Sequence, residues 1–402
     1  MSADTPSSGT LWGIATYFNP AGYPNKYQNF LRFRRASARQ GLPLLVVEAA
    51  MGDRPYELSD TDADRVIRVH ASAVLWQKER LFNLALAHLP DDCDMVVGID
   101  TDILFDNDRW VADVSDALQR SLIVQPFMRA VQLPRDRTCI PDGTPVTDDE
   151  SMPGIIAWWL ANGRPSDGRM TGHTGYAVAA RRSFLDRFGF YDRGIAGSGD
   201  AIMMGAFLGI PPHINQYIHL DHCPLLDHAA SWSQSVADVV RGSVETIPGT
   251  VFHLWHGERK NRFYVERGAL LTDFDPEQDI RIDEQGCWAW ATDKPKLHAR
   301  IRSYFWMRDE EAETTSLIHI RIANLEEQIL YERGATQNLR QALEEAQQKN
   351  ARLQAENATL LASYPGPVLH RFCTILDRIG YFLLPKHSFL RRFIRRVLLR
   401  LL

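Results

Sequence analysis

The sequence has few cysteines, and none of them are closely paired. Its five cysteines are scattered over 402 residues without a C-x-x-C pair, so the sequence predicts neither a disulfide framework nor a cysteine-based zinc site. No run of 18 or more apolar residues occurs, and the first ten residues lack a basic segment followed by an apolar one. We therefore expect reduced thiols, no membrane-spanning helix, no secretory signal and a cytoplasmic location.

The chain also lacks an overall excess of positive charge. Its formal charge of −5 argues against general nucleic-acid binding. Residues 364–402 nevertheless carry +7, which leaves −12 on the first 363 residues. A hydrophobic content of 45% and a charged content of 24% exclude wholesale disorder. The length exceeds what one small core needs, so we expect a large domain with an appended basic segment.

Apolar segments alternate with helix-like segments in the first part of the chain. Strands of about four to eight residues between helices of about a dozen predict an α/β fold with a largely parallel sheet. Residues 134–170 are rich in Pro, Gly, Asp and Arg, which predicts a long loop or lid. The predicted strands are 11–18, 42–50, 66–70, 95–99, 122–126 and 175–180, and the predicted helices are 25–40, 76–89, 109–120 and two that begin at 181 and 200.

Residues 314–363 have a different pattern, with no proline and one glycine. Apolar residues recur at heptad positions a and d from Ile318 to Leu360, and Asn350 and Asn357 fall at a positions. This pattern favours a parallel two-stranded coiled coil and hence a homodimer. The alternative is a single surface helix that lies on the body of the protein.

The last segment, residues 364–402, is basic and amphipathic. In its final helix-like part, Leu390, Phe393 and Val397 share one face, while arginines such as Arg392 and Arg396 occupy the other. Such a helix can lie on an anionic membrane, here the inner face of the cell membrane, although burial against a dimer partner is the alternative. The predicted organisation is a disordered N-terminus (1–10), a catalytic-size domain (11–310), a coiled coil (314–363) and this tail (364–402).

The strongest chemical signal is Asp100-Thr101-Asp102. Five other D-x-D sequences occur, but only this one directly ends an apolar strand and is followed by apolar residues. That position places two carboxylates at the carboxyl edge of a sheet, where α/β proteins bind ligands. Carboxylate oxygens suit Mg²⁺ or Mn²⁺, either of which can bridge a diphosphate. A solvated turn is the alternative interpretation.

Three further segments accompany this motif: residues 76–83 (WQKERLFN), 173–200 and 251–261 (VFHLWHGERKN). Together with IDTDILF they resemble, in the same order, motifs of the beta-galactosyltransferase family. The same motifs also resemble the C-terminal-domain type of polypeptide N-acetylgalactosaminyltransferase, which like the beta-galactosyltransferases belongs to the GT-A group of glycosyltransferases. The resemblance covers about residues 10–270 as a pattern of motifs, and it looks closest to a bacterial-type branch with an H-L-W-H-G motif.

The resemblance implies a GT-A nucleotide-sugar-binding domain and assigns roles to individual positions. The family's catalytic base corresponds to Asp200, its metal-binding histidine to His256, and its D-x-D motif to Asp100 and Asp102. The Trp and Glu of the family's W-G-G-E-D turn are missing here, so galactosyl transfer to N-acetylglucosamine is not implied. The family's F-N-R-A-K-L-L-N segment corresponds to the stretch that contains Lys78, Arg80 and Asn83.

The residues themselves support the same chemistry. Asp102 and His256 suit a metal that neutralises a leaving diphosphate, with Asp100 nearer the ribose or in the outer coordination sphere. Asp200 suits the base that takes the acceptor's proton. Lys78 and Arg80, with Asn83, are predicted to contact the donor. The implied cofactors are Mn²⁺ or Mg²⁺, with a nucleotide sugar, most simply UDP-linked, as donor, and the expected activity is an inverting glycosyl transfer to a glycan hydroxyl, as in cell-surface polysaccharide synthesis.

Several interpretations stay open at this point. His253 is expected to be structural, because His253 and His256 share a face only in a helix and VFHLWHG looks strand-like. His173 can contact a substrate or be satisfied locally, Trp288 and Trp290 favour buried packing, and Trp158-Trp159 suit an acceptor-side lid. The rival functions are a nucleotidyltransferase, a non-catalytic membrane-tethered scaffold with a sugar- or nucleotide-binding head, and, least favoured without an H-E-x-x-H helix, a zinc hydrolase.

Overall fold

The computed structural model describes residues 9–140, 151–164, 169–220, 223–263, 266–310, 336–337, 339–356 and 358–359, with single positions at 366, 370, 371, 374, 378, 392 and 396. The chain divides into two compact units, Met1–Glu327 and Gln328–Leu402. The predicted disordered N-terminus and most of the predicted coiled coil and basic tail lie outside the described residues. These predictions therefore stay predictions.

Strands and helices alternate through the first unit as the sequence predicts. The ends of the six predicted strands agree with the structure to within about two residues, because turn residues bound each of them. The other strands of the described chain are three or four residues long and are not among the predicted strands. The strands are β1 Thr10–Tyr17, β2 Leu44–Met51, β3 Arg65–Ala71, β4 Cys93–Ile99, β5 Ile103–Phe105, β6 Ile123–Gln125, β7 Arg129–Gln132, β8 Ser151–Pro153, β9 Ala177–Arg181, β10 Val244–Thr246, β11 Thr250–His253, β12 Ile280–Ile282 and β13 Trp288–Trp290. The helices are α1 Pro24–Arg39, α2 Lys78–Leu86, α3 Trp110–Leu118, α4 Ile155–Asn162, α5 Arg182–Phe188, α6 Gly199–Phe207, α7 Pro224–Val240, α8 Glu266–Ala269 and α9 Pro295–Met307.

Seven strands form the main sheet, in the order β10-β6-β9-β4-β1-β2-β3. Strands β4, β1, β2 and β3 are parallel, and β10 is parallel to β6. Strand β9 is antiparallel to both of its neighbours, β4 and β6. The predicted largely parallel sheet is thus confirmed, and β9 is its antiparallel member.

Both faces of this sheet are covered, which explains why its strands are continuous apolar runs. Ile14 of β1 faces a core that includes Leu81 of α2 and Phe184 of α5. The next residue, Ala15, faces a second core with Phe30 of α1 and Trp110 of α3. Successive side chains of a strand point to opposite faces, so the helices must lie on both sides of the sheet.

A second sheet, with the order β5-β11-β7-β8, lies at the edge that carries the site. Strand β11 pairs antiparallel with β5 and parallel with β7. The predicted loop at 134–170 is partly wrong, because it contains β8 and α4. The apolar stretch IIAWWLAN folds as a helix between Gly154 and Gly163, and the surrounding Pro and Gly residues hid it from the sequence pattern.

The hairpin of β12 and β13 completes the described part of the first unit together with α9. Trp288 of β13 is buried, and the Trp290 ring stacks on His298 with centroids 4.0 Å apart. Packing of these tryptophans against the core agrees with the sequence-based interpretation.

In the second unit, residues 339–356 are helical and exposed. Leu339, Leu343 and Leu353, which the heptad pattern places at a and d, expose 72%, 59% and 51% of their surface. A single chain therefore leaves the predicted seam uncovered over this stretch. Within the described residues, no helix has the length and apolar character needed to cross a bilayer.

Candidate functional site

The main sheet changes direction at β1, because β2 and β3 continue on one side of it and β4 lies on the other. In α/β sheets such a switch point opens a crevice beyond the carboxyl ends of the strands. A cavity of about 180 Å³ lies there, lined by Thr16 and Phe18 from the end of β1 and by Asp100 and Asp102 from the end of β4. The D-x-D motif therefore faces a cavity and is not a solvated turn.

Asp102 lies beside two histidines. Strand β5 follows Asp102 directly and pairs with β11 so that Ile103 is opposite His253. The backbone N–H of Leu254 donates to the Asp102 carbonyl at 2.8 Å, which holds Asp102 beside the end of β11. Asp102 Oδ2 lies 3.2 Å from His256 Nε2, and Asp102 Oδ1 lies 3.7 Å from His253 Nε2. One ligand atom from each of the three residues lies within 4.8 Å of the others.

This set of donors fits a divalent metal. Contacts with His256 and His253 hold the pKa of Asp102 well below its usual value, although burial opposes this effect. Burial, together with the neighbouring Arg262, lowers the pKa of His256 to about 3. The carboxylate is therefore ionised and His256 is neutral at pH 7, which are the states that metal ligands require. The buried Nδ1 of His253 has no hydrogen-bond partner. One carboxylate and two imidazoles suit Mn²⁺ among other divalent ions.

The end of the first unit's described chain closes one wall of this site. Arg308 Nε lies 2.9 Å from Glu310 Oε1, and Glu310 Oε2 lies 3.8 Å from His256 Nδ1. Arg308 and Lys26 hold the pKa of Glu310 well below its usual value against the effect of burial. Gly257 has φ +96°, and a Cβ there would lie 2.6 Å from the Asp309 carbonyl oxygen. Only glycine allows the chain to approach this closely.

Asp100 is held by a lysine. Lys78 Nζ donates to Asp100 Oδ1 at 3.1 Å and lies 3.7 Å from Glu79 Oε1. The neighbouring carboxylates raise the pKa of Lys78 even though burial opposes them, so it is a permanent cation. Glu79 is buried, which raises its pKa to about 7. Lys78 therefore orients Asp100 while its positive charge lines the cavity.

Asp200 lines the same cavity from the first turn of α6. The residue before this helix, Ser198, has φ +74°, and Arg267 Nη2 donates to its Oγ at 2.9 Å. A Cβ at Gly175 would lie 2.7 Å from Asp200 Oδ2, so this glycine gives the carboxylate room. Lys78, Arg267 and His173 lower the pKa of Asp200 against the effect of burial. Asp200 is an ionised carboxylate that can accept a proton.

Three aromatic rings, those of His173, Tyr176 and His253, stack on one another beside the cavity. The His173 ring stacks on Tyr176 with centroids 3.6 Å apart, and Tyr176 stacks on His253 at 4.9 Å. Tyr176 has φ +76°, an uncommon conformation for a side chain of this size. Gln132 Nε2 donates to the Tyr176 hydroxyl at 2.9 Å. His173 therefore lines the cavity and also supports the ring that lies against His253.

Not all of the predicted site residues meet in this cavity. Asp100, Asp102, Asp200, His256 and Lys78 do. Arg80 instead donates to the Gly286 carbonyl and to Asp192, and Asn83 donates to the Phe190 carbonyl. The structure gives these two side chains a structural role in place of the predicted donor contact, because they point from α2 toward β13 and the turn after α5. Trp158 and Trp159, predicted as a lid, lie on α4 against the core.

For His253 the structure differs from the sequence-based interpretation in the opposite way, because a residue that was not expected in the site lies in it. Expected to be structural, it lies with Asp102 and His256 in a group whose ligand atoms could hold a metal ion. The expectation assumed that the strand continues to His256, but β11 ends at His253 and the chain turns before His256. The turn, and not a helix, brings the two rings together, with centroids 4.6 Å apart.

Six charged residues that line the cavity were missed by the sequence reasoning. Five of them lie outside the motif segments, although Arg262 directly follows the segment 251–261 and Arg308 and Glu310 lie where the composition changes. The sixth, Glu79, lies within the segment 76–83 but was given no role. For Arg308 and Glu310, the only signal in the sequence was the change of composition, which marks a domain boundary. The missed residues are Lys26, Glu79, Arg262, Arg267, Arg308 and Glu310.

No known protein-family model matches the sequence, and no curated protein matches it. Solved structures give weak likenesses. Glucosyl-3-phosphoglycerate synthase from Mycobacterium tuberculosis, in complex with Mg²⁺ and UDP, is 13% identical, with 68% of this chain and 82% of that chain covered and a TM-score of 0.34. S. aureus TarS is 11% identical, with 76% and 73% covered and a TM-score of 0.34. A Drosophila beta-1,4-galactosyltransferase 7 mutant, in complex with manganese, UDP-Gal and xylobiose, is 14% identical, with 50% and 63% covered and a TM-score of 0.26.

These likenesses assign the chain to no subfamily. Identities of at most 14% and TM-scores of at most 0.34 do not carry over an activity or a ligand from those proteins. The function of this chain follows from its own site.

Proposed function

We propose that this protein is a metal-dependent, inverting glycosyltransferase of the GT-A type that uses a nucleotide-sugar donor, most simply a UDP-sugar. One observation carries the proposal: Asp102, His253 and His256 form a cation-binding cluster in the same cavity as the ionised carboxylate of Asp200. Sugar transfer from a nucleotide needs both parts, a cation at the leaving diphosphate and a base at the acceptor hydroxyl. A binding module needs no base.

Asp102, His253 and His256 would hold Mn²⁺ or Mg²⁺, which supplies positive charge to the diphosphate when bound. Arg262 and Arg308 line the cavity near these residues and add fixed positive charge. Lys26 lines it beside them, with a pKa that burial lowers. Glu310 keeps the two arginines in place through contacts of 3.7 Å with Arg262 and 2.9 Å with Arg308. Such preorganised charge stabilises the leaving group without reorganisation during the reaction.

Asp200 takes the proton in the proposed reaction. An acceptor hydroxyl oxygen forms a bond to the anomeric carbon while the bond from that carbon to the diphosphate oxygen breaks, and the hydroxyl proton passes to the Asp200 carboxylate. A single displacement of this kind inverts the anomeric centre. The other carboxylates of the cavity have closer partners: Asp100 and Glu79 contact Lys78, Asp102 contacts the histidines, and Glu310 contacts Arg308. Asp200 is therefore the described carboxylate best placed for the proton.

We further propose that the acceptor belongs to a cell-surface glycan and that the enzyme works as a homodimer at the cytoplasmic face of the membrane. Three features support this: the heptads of residues 314–363, the exposed leucines of the 339–356 helix, and the +7 charge of residues 364–402. Pairing of two chains would cover the leucines. Two basic tails on one dimer would hold an anionic surface much more strongly than one.

A nucleotide-sugar hydrolysis screen tests the proposal. We expect the full chain to release nucleoside diphosphate from at least one UDP-sugar in the presence of Mn²⁺, because water can replace the acceptor. Asp102→Ala should abolish this release, while Asp116→Ala, on the exposed face of α3, should not change it. Release of pyrophosphate from nucleoside triphosphates, instead of diphosphate from nucleotide sugars, would identify a nucleotidyltransferase and contradict the proposal.

A further inference from the structure

A second pocket lies beside the site and holds an excess of positive charge. It has a volume of about 210 Å³, and Arg32, Arg135 and Arg137 line it. Trp255, Thr138 and two asparagines complete its polar lining, and no carboxylate is among the described residues that form it. We call this the basic pocket. Three guanidinium groups around one depression produce a positive potential that attracts anions.

The basic pocket is organised by hydrogen bonds. The side-chain amides of Asn25 and Asn29 both donate to the Trp255 carbonyl, at 2.8 Å and 3.0 Å. Arg32 Nη1 donates to Asn29 Oδ1 at 2.9 Å, so the same asparagine positions a guanidinium. The Arg135 guanidinium lies over the Trp255 ring, 5.0 Å from its centre. The guanidinium groups of Arg32 and Arg135 are therefore held in place before a ligand arrives, which lowers the entropic cost of binding.

The basic pocket shares a wall with the candidate active site. Asn29 and Trp255 line both cavities. Trp255 is also the neighbour in sequence of His256, one of the metal-ligating residues. The two cavities are therefore adjacent, with these two side chains between them.

We propose that the basic pocket binds a phosphate or diphosphate group of the acceptor, which extends the proposed glycosyl transfer and rests on it. Guanidinium groups match phosphate oxygens with paired hydrogen bonds, and three of them suit more than one negative charge. The donor's diphosphate has its own cation-binding cluster on the other side of Trp255. The group in the basic pocket therefore belongs to a different molecule, either a soluble phosphorylated glycan or a lipid-linked one.

The first test measures pyrophosphate binding by calorimetry with the full chain in metal-free buffer. Without metal, the five cations that line the active-site cavity are balanced by five carboxylates, whereas no carboxylate is among the described residues of the basic pocket. The basic pocket should therefore bind pyrophosphate more tightly, and one equivalent should bind. The double variant Arg32→Gln, Arg137→Gln should weaken binding by about tenfold or more, because charge-assisted hydrogen bonds are lost. Arg109→Gln, a substitution of an arginine whose side chain is 78% exposed on the surface, is the matched control and should bind normally. Equal affinity in the double variant and the control would overturn the proposal.

The second test identifies the source of the phosphate. We compare the natural sequence with the double variant in their binding of three ligands: a hexose 1-phosphate, phosphatidylcholine vesicles, and the same vesicles with phosphatidic acid. Both proteins carry the same basic tail, so any contribution of the tail cancels. Weaker binding of the sugar phosphate supports a soluble acceptor, and weaker binding of the phosphatidic acid vesicles supports a lipid-linked one. If the double variant changes neither, the basic pocket is not an acceptor site.

These results are separable from the proposed function. Binding of UDP with Mn²⁺ depends on Asp102 and not on the basic pocket, so the double variant should keep it. Absence of UDP binding in the natural sequence would contradict the glycosyltransferase, whereas normal UDP binding with unchanged pyrophosphate affinity in the double variant would contradict only the acceptor pocket.

Discussion

The Nε2 atoms of His253 and His256 lie 2.8 Å apart, and both face the Asp102 carboxylate. Two imidazoles can hold this arrangement only when they share a proton or a cation, because two protonated rings would repel each other. The arrangement arises where β11 ends and the chain turns before Gly257. It places His253 Nε2 3.7 Å from the Asp102 carboxylate, beside the histidine that the motif comparison selects, which lies 3.2 Å away.

The first prediction concerns this pair. His253→Ala should weaken Mn²⁺ binding by at least about tenfold, comparable to His256→Ala, because each substitution removes one ligand nitrogen. Titration of Mn²⁺ followed by its electron paramagnetic resonance signal measures the affinity. His88→Ala, at an exposed position after α2, is the control. Normal Mn²⁺ affinity in His253→Ala would return His253 to a structural role.

The second prediction concerns Asp200. Asp200→Asn should bind UDP and Mn²⁺ normally but lose roughly 10²- to 10⁴-fold in turnover, because the amide is nearly isosteric and cannot take the proton. Calorimetry of UDP binding and the rate of donor turnover separate the two effects. Asp116→Asn is the control with the same chemical change on the surface. Turnover at the natural rate would show that another group is the base.

The third prediction concerns stability and pH. Asp279 is fully buried and accepts hydrogen bonds from Thr292 at 2.6 Å and Lys294 at 2.7 Å. The backbone N–H of Asp275 and the side chains of Lys294 and Thr292 lower its pKa, although burial opposes them. Asp279→Ala should therefore reduce the free energy of unfolding at pH 7 by roughly 2–3 kcal/mol.

The same substitution should matter less in acid. Because the folded pKa is below the unfolded value of about 3.9, the contribution of Asp279 is fully present above that pH and is lost as the pH falls through the folded pKa. Urea denaturation at pH 7 and near pH 3 measures the difference, with exposed Asp273→Ala as the control. If Asp279→Ala lowers the free energy of unfolding by the same amount at both pH values, Asp279 stabilises the fold without its charge.

The fourth prediction concerns assembly. The full chain should be a dimer, and Leu339→Asp with Leu343→Asp should make it a monomer, because both side chains lie at predicted seam positions and are exposed in the single chain. Gln341→Asp, between them on the same helix, should leave the dimer intact. Light scattering gives the mass of each variant. A dimeric double variant would place the interface elsewhere.

The fifth prediction concerns the membrane. The full chain should float with anionic vesicles at low salt and less so at high salt, since screening weakens the attraction of the +7 tail. A protein that ends at residue 363 should stay with the soluble fraction. If the full chain also stays soluble at low salt, the tail binds a partner helix and not a membrane.

The sequence was sufficient to predict the parts of the fold that repeat a simple pattern. Strands β1, β2 and β4 are apolar runs buried on both faces, so composition and length located them. Asp100 and Asp102 could be placed at the sheet edge because they end such a run. Helix α4 could not be found, since its turn-rich surroundings resemble a loop.

The rest of the site depends on contacts that no local pattern records. Glu310 approaches His256 from a position more than fifty residues later in the chain, and its role follows from the fold of the whole first unit. Arg80 and Asn83 show the opposite case. Their spacing matched a motif, but the orientation of α2 directs them to Asp192 and away from the cavity.

The contact of Glu310 with the site also sets a minimum length for any shortened form of this protein. A boundary placed by composition a few residues earlier, after Met307, would remove both Arg308 and Glu310, the pair that closes the wall of the site beside His256, while every strand stayed in place. Because the described strands and helices of the first unit end at Met307, we expect such a protein to fold but to lose the proposed donor turnover. Fragments for crystallisation or assay should therefore keep both residues.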